Sequence, residues 1–326
     1  MLSFRIPSFI SSEIIFSSDR TKCKNITDIP PHDIGNKTLI YNSTMSPYGY
    51  IDKIVNSNDI DTCYALWELL QHFDIITSDT SLSYICDNTL PIYSFIHKYY
   101  NMKIYPNKIS RGNREEFISY CMLSRNDISM FENWYADNSG LDSVIILNET
   151  VLKDDHVYHS IIADILMALI RQCIGGSLVI ELSEITSIFS VDMIYILTHF
   201  YDDVFIVKPN IAETYRTEKF IFCYGFRGVN KKNDIYNMTT LLGESYGPTS
   251  SIIHNNIPHA VLKTLTNAIS ICENIKLSYI NTNKSNDKKK EIQLDTINGK
   301  ILSNCINWCK KNNIQIKMDI RCLATH

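Results

Sequence analysis

Glycine and proline are scarce in this 326-residue chain, at 11 and 9 residues, which excludes collagen-like and Gly/Pro-rich disordered classes. There is no excess of positive charge either: 31 Lys and Arg stand against 35 Asp and Glu, giving a formal net charge of −4 and a pI near 6.1. No bulk field draws the chain to nucleic acid or an anionic membrane, so any polyanion site has to be a local patch. Apolar runs of bilayer-spanning length are missing. Residues 1–18 carry Arg5 and Glu13 inside their apolar stretch and lack the uninterrupted core of a signal peptide. The ten cysteines, Cys23 to Cys322, show no paired short spacings, which favours reduced, buried thiols over a disulfide framework. Cys305 and Cys309 are four apart and can share a helix face. No His or second Cys pair completes a zinc set beside them, so core packing is their expected role and no metal is expected. Asn-x-Ser/Thr triplets, as at Asn25, Asn36, Asn42, Asn148 and Asn237, arise by chance in an Asn-rich chain and do not argue for secretion.

What is present is a 45% hydrophobic, 20% charged chain, long enough for one large α/β domain or two smaller ones. Ile161, Ile162, Ile165, Leu166, Leu169 and Ile170 recur at helical spacing, and Gly175-Gly176 is the expected helix end. Residues 177–182 read as a buried strand. Ser190 is the expected cap of a second helix striped with Met193, Ile194, Leu197 and Phe200, followed by strands at 204–207 and 219–224. Residues 143–147 and 38–41 are earlier strand candidates. Strands alternating with helices of this length predict a doubly wound, mostly parallel sheet, which binds ligands beyond the carboxyl ends of its strands. Beyond Gly247, Val261, Leu262, Leu265 and Ile269 mark one amphipathic helix. A polar linker at 284–291 contains Lys288-Lys289-Lys290, and a second helix runs through Leu294, Ile297, Ile301, Cys305 and Cys309. The expected organisation is an N-terminal segment 1–20, an α/β domain 21–228 and a mainly helical extension 229–326. Lys288 to Lys290, Lys310 and Lys311 are read as a solvated charge run. His156 and His159 have no acid and nucleophile in register, so hydrolysis is not expected.

The run Gly175-Gly176, strand, helix, Val207-Lys208-Pro209, then Thr217-Glu218-Lys219-Phe220-Ile221 resembles the FtsJ-like RNA 2′-O-methyltransferases. That family reads Gly-Gly, strand with Lys, helix, Val-x-Lys-Pro, Ser-Glu and Tyr-Ile-Val in this order. The likeness is strong over 157–226, moderate over 38–55 and 124–150, and weak between 56 and 120. Ser46-Pro47-Tyr48-Gly49-Tyr50 is similar to the family's Ala-Pro-Gly-Gly-Phe cofactor loop, and Asn126-Asp127-Ile128 to its Gly-Asp-Ile. The C-terminal helices are similar to parts of methyltransferase-like proteins of large DNA viruses. The fold so implied is a Rossmann-like methyltransferase domain with a C-terminal helical extension.

The resemblance also implies a catalytic Lys-Asp-Lys-Glu set and an S-adenosylmethionine site. Carried over position by position, the first lysine is Lys24 or Lys22, the aspartate position holds Asn148, the central lysine position holds Glu181, and the glutamate is Glu218. Two of the four depart from the pattern. The implied cofactor residues are Thr44, Ser46, Pro47, Tyr48, Gly49, Tyr50 and Asp127, with Thr44 and Tyr48 standing where the family has glycine. A ring at Tyr48 takes space that the methionine moiety needs, so cofactor binding is expected to be weakened or lost. The implied function is that of a catalytically degenerate methyltransferase-fold subunit, structural or stimulatory, in viral-type mRNA capping or RNA modification. Its expected partner is a capping-enzyme or methyltransferase subunit, with RNA contact possible, no membrane association, and a location in the cytoplasm or virion. The alternatives are an active cap 2′-O-methyltransferase with a divergent site, and an RNA-binding module.

Overall fold

The computed structural model describes residues 1–8, 51, 62–77, 80–85, 107–109, 111–123, 136–137, 139–147, 157–182, 185, 187–211, 219–228, 237–243, 251–253, 256–284 and 290–316. Seven strands form one mixed sheet: β1 (Leu2–Ile6), β2 (Leu82–Ile85), β3 (Asn107–Ile109), β4 (Asp142–Leu147), β5 (Gln172–Leu182), β6 (Tyr201–Lys208) and β7 (Lys219–Phe226). Their order across the sheet is β1-β6-β7-β5-β4-β2-β3. The contiguous set β3, β2, β4 and β5 is parallel, whereas β7 is antiparallel to both β5 and β6, and β1 is antiparallel to β6. The protein is thus an α/β fold with a parallel centre. The stretch 56–120, where the resemblance is weak, contributes β2 and β3 to this sheet, so it forms part of the sheet rather than an insertion. The strand candidate at 38–41 lies outside the described residues.

Among the described residues, the helices that cover the two faces are α1 (Thr62–His72), α2 (Arg111–Leu123), α3 (Val157–Arg171), α4 (Ile188–Phe200), α5 (His259–Lys284) and α6 (Lys290–Lys311). Strand alternation divides the sheet's side chains between two cores. One face, with Ile145, Leu178, Ile180, Ile206 and Ile221, packs under α2, α3, α4 and α5. The other, with Val144, Ile146, Val179, Val207, Phe220 and Phe222, packs under α1 and α6. The described parts of the C-terminal extension therefore lie within the cores of the α/β domain: α5 supplies Val261, Leu265 and Ala268 to one, and α6 supplies Cys305, Trp308 and Cys309 to the other. The linker expected at 284–291 is shorter, because Lys284 closes α5 and Lys290 opens α6. No described helix is long and apolar enough to cross a membrane.

Buried polar groups tie these layers together. Arg114 on α2 meets Asp164 on α3 through two hydrogen bonds, Nε to Oδ1 at 2.5 Å and Nη2 to Oδ2 at 2.7 Å. Asp192, fully buried on α4, accepts from the Ile252 N–H at 2.9 Å and the Ser251 hydroxyl at 2.7 Å, holding the approach to α5 against the domain. His159 and the Leu242 carbonyl are hydrogen-bonded, an architectural role for that ring.

Two local expectations need correction. The helix α3 ends at Arg171, before Gly175-Gly176, and the two glycines sit inside β5. Asp142 pairs with Gln172, but Val144 pairs with Ser177, so 173–176 bulges from the ladder. Gly175 has φ +80°, and a Cβ on Gly176 would lie 2.7 Å from Gln172 Nε2 and 2.8 Å from the Ser143 carbonyl oxygen. Gln172 fastens the bulge by donating to the Ser177 carbonyl at 2.7 Å and accepting from the buried Tyr201 hydroxyl at 2.5 Å. The cap of α4 is Ser187 rather than Ser190: its hydroxyl accepts from the Ser190 N–H at 3.1 Å. Ser187 satisfies an amide that the helix start leaves open, and Ser190 is the donor.

Besides the Gln172 amide, the crowding at Gly176 comes from the Ser143 and Cys173 backbone carbonyls, at 2.8 and 2.9 Å, which cannot rotate away. Gly176→Ala is expected to destabilise the fold by roughly 1–3 kcal/mol, read as a lower denaturant midpoint with unchanged slope. An unchanged midpoint contradicts the close-packed bulge.

Candidate functional site

From β2 the chain crosses to β3 at the sheet's edge and returns to β4 on the other side of β2. This reversal of direction, at the carboxyl ends Ile85 and Leu147, is where an open α/β sheet leaves a crevice for ligands. The cofactor-loop residues Thr44, Ser46, Pro47, Tyr48, Gly49 and Tyr50 follow the strand candidate at 38–41, and all lie outside the described residues, as does Asp127. The strand that borders the reversal within the described sheet is β2, later in the chain.

Of the four carried-over catalytic positions, Glu181 is described, on the last turn of the β5 ladder and half-buried. Lys24 and Lys22 fall outside the described residues, and so do Asn148 and Glu218. The chain neighbours of those last two are placed, however. Leu147, which precedes Asn148, pairs with Ile180, and Lys219, which follows Glu218, pairs with Leu182. Glu181 stands between those two pairs. The sheet therefore brings the exit of β4, the end of β5 and the entry to β7 to one place, beside the reversal point.

Two cations stand close by along the strands. Lys208 ends β6 and Lys219 opens β7, both buried. Alternation sets them on the face of Ile206 and Ile221, whereas Glu181 shares the face of Val179 and Phe220. Under α5, burial pushes the Cys272 thiol up, against the opposing influence of Lys219 and Lys208. The alternation of β5 thus fixes a carboxylate, not an amine, at the carboxyl end on the face of Phe220.

Beside this end of the sheet lies a residue that the sequence pattern did not single out. Glu68 is a lone acid in the apolar helix run Tyr64-Ala65-Leu66-Trp67-Glu68-Leu69-Leu70 and is buried. Its carboxylate accepts from the Asn210 N–H at 3.0 Å, the Ile211 N–H at 3.0 Å and the Trp308 indole N–H at 2.8 Å. The first two amides belong to the segment that leaves β6 towards Glu218. The one available signal was that isolated charge, since an acid inside a buried helix requires donors from elsewhere.

Among the described residues, six cysteines are free, five of them buried, and no cluster of His, Cys, Asp and Glu is suited to a metal ion. Burial pushes the Cys305 thiol up to about 12, with Cys309 adding to the shift, and pushes the Cys309 thiol up to about 11. These are core thiols. Because the unfolded chain ionises such thiols near pH 9 while the fold keeps them protonated, the unfolded state binds fewer protons above that pH. Each thiol should therefore lower stability by about 1.4 kcal/mol per pH unit from about pH 9 towards its folded value. Cys305→Ala with Cys309→Ala should flatten that alkaline decline in denaturant titrations at successive pH values, and an unaltered slope would contradict the burial account.

Comparison of the sequence with family models and with curated proteins finds no match.

Proposed function

We propose that the protein is a methyltransferase-fold subunit, akin to the FtsJ-like RNA 2′-O-methyltransferases, whose site no longer supports methyl transfer. It serves as a structural or stimulatory partner in mRNA capping or RNA modification. The observation that carries this reading is Glu181 at the carboxyl end of β5, level with the exit of β4 and the entry to β7. The parallel set β3, β2, β4 and β5, with the chain reversing between β2 and β4, supports it, because an open α/β sheet binds its ligand at such a reversal.

The chemistry follows from charge. Transfer of a methyl group to a ribose hydroxyl needs a group that takes the proton and a positive charge that stabilises the developing alkoxide. Glu181 supplies the wrong sign: two like charges about 4 Å apart repel by ~4 kcal/mol at an effective dielectric of 20. Loss of a general base alone costs roughly 10²- to 10⁴-fold in rate. Asn148 in place of an aspartate removes a second charge that would orient a basic group. Tyr48 and Thr44, where glycine lets a backbone approach its ligand, act against S-adenosylmethionine in the same direction.

A partner subunit fits a fold kept without its chemistry. Among the side chains described on α5 and α6, Ile271 is the exposed large apolar one.

Titration calorimetry of the purified chain with S-adenosylmethionine is expected to show no stoichiometric binding. Affinity purification from its native setting is expected to recover a capping or methyltransferase subunit. Tight one-to-one cofactor binding would overturn the degenerate-site reading. RNA retained without any protein partner would favour the RNA-binding alternative.

A further inference from the structure

Glu68 hydrogen-bonds two other parts of the molecule to α1 through one buried carboxylate, and the Met1 ammonium lies 3.8 Å from its Oε1. Oε1 accepts from Asn210 N at 3.0 Å, and Oε2 accepts both from Ile211 N at 3.0 Å and from Trp308 Nε1 at 2.8 Å. Asn210 and Ile211 lie just past Lys208-Pro209, at the start of the segment that ends in Glu218. Trp308 belongs to the last turns of α6 and packs edge-on against Tyr64, ring centroids 5.9 Å apart. A carboxylate at 5% exposure depends on its donors for the solvation that water no longer gives, so removing one donor raises the cost of the buried, bonded arrangement relative to a locally opened one in which water solvates the charge.

We propose that Glu68 is the positioning residue of Asn210 and Ile211 at the exit of β6, and that Trp308 makes this positioning conditional on the seating of α6. The last turns of α6 and these two residues then behave as one unit. The proposal rests on the preceding reading only in calling the exit of β6 a neighbour of the site. A second indole bond, from Trp67 Nε1 on α1 to the carbonyl of Asn312 just past α6 at 3.2 Å, does not touch the carboxylate. It separates coupling through Glu68 from a general loosening of α6.

The test is residue-resolved amide hydrogen exchange by NMR on the full chain, comparing the unaltered protein with Trp308→Phe and Trp67→Phe. Both changes remove one indole N–H and keep an aromatic ring. Trp308→Phe should speed exchange at Asn210 and Ile211 by on the order of tenfold, while Trp67→Phe leaves both amides protected. Equal acceleration in the two variants, or none in Trp308→Phe, overturns the proposal. Should Trp308→Phe fail to fold, Glu68→Gln serves instead: it keeps one acceptor oxygen and should release one of the two amides. Protection of both in that variant overturns the proposal equally. No cofactor, RNA or partner enters these measurements, so their failure removes the coupling and leaves the proposed function standing. Cofactor binding would remove that function and leave the coupling.

Discussion

The buried Glu68 carboxylate is the constraint on which the arrangement of the carboxyl end of the sheet depends. It lies where α1, the exit of β6 and the last turns of α6 meet, and each contributes a donor or the acceptor itself. Charge-assisted hydrogen bonds of this kind contribute about 1.5–3 kcal/mol each, and a donor left without its acceptor costs about 1–3 kcal/mol. An apolar residue at this position would leave two backbone amides and an indole without a partner. The face under α1 and α6 is otherwise apolar, with Trp67, Leu69, Val179, Phe222 and Trp308 in contact. Apolar packing has no directional preference, so the carboxylate supplies the directional contact between α6 and the exit of β6.

On the opposite face the same logic recurs with other groups. Arg114 with Asp164 fixes α2 on α3, and Asp192 fixes the approach to α5 on α4. On both faces the described layers are apolar in bulk and pinned by a few buried, hydrogen-bonded charges. The sheet they enclose brings Glu181 into line with the exit of β4 and the entry to β7. A carboxylate there is compatible with the fold, and under the proposed reading it stands where methyl transfer needs an amine.

The sequence made the central sheet legible where strands were long and apolar. β4, β6 and β7 lie close to their expected bounds, and α5 and α6 follow their apolar stripes. It misled at Gly175-Gly176, because two glycines after an amphipathic run suit a helix stop as well as a bulge, and only the pairing of Asp142 with Gln172 decides between them. Ser187 and Ser190 are three apart, and either satisfies the spacing rule for a cap. The short strands β2 and β3 were not legible, because four or three residues carry no period. Glu68 was not legible as a hub either, since its donors lie far along the chain, at positions 210, 211 and 308. Of the candidate site, the placement of Glu181 was legible through its strand, and the remaining carried-over positions lie outside the described residues.

The central claim is that this scaffold holds an acid where methyl transfer needs an amine. Its most direct test is incubation of the purified protein with capped RNA and S-adenosylmethionine labelled on the transferred methyl group, followed by counting label on the RNA. The account predicts no label above that of a protein-free control. Label that accumulates with the unaltered chain and disappears in Glu181→Ala would contradict it, because Glu181 would then be the working base of an active enzyme.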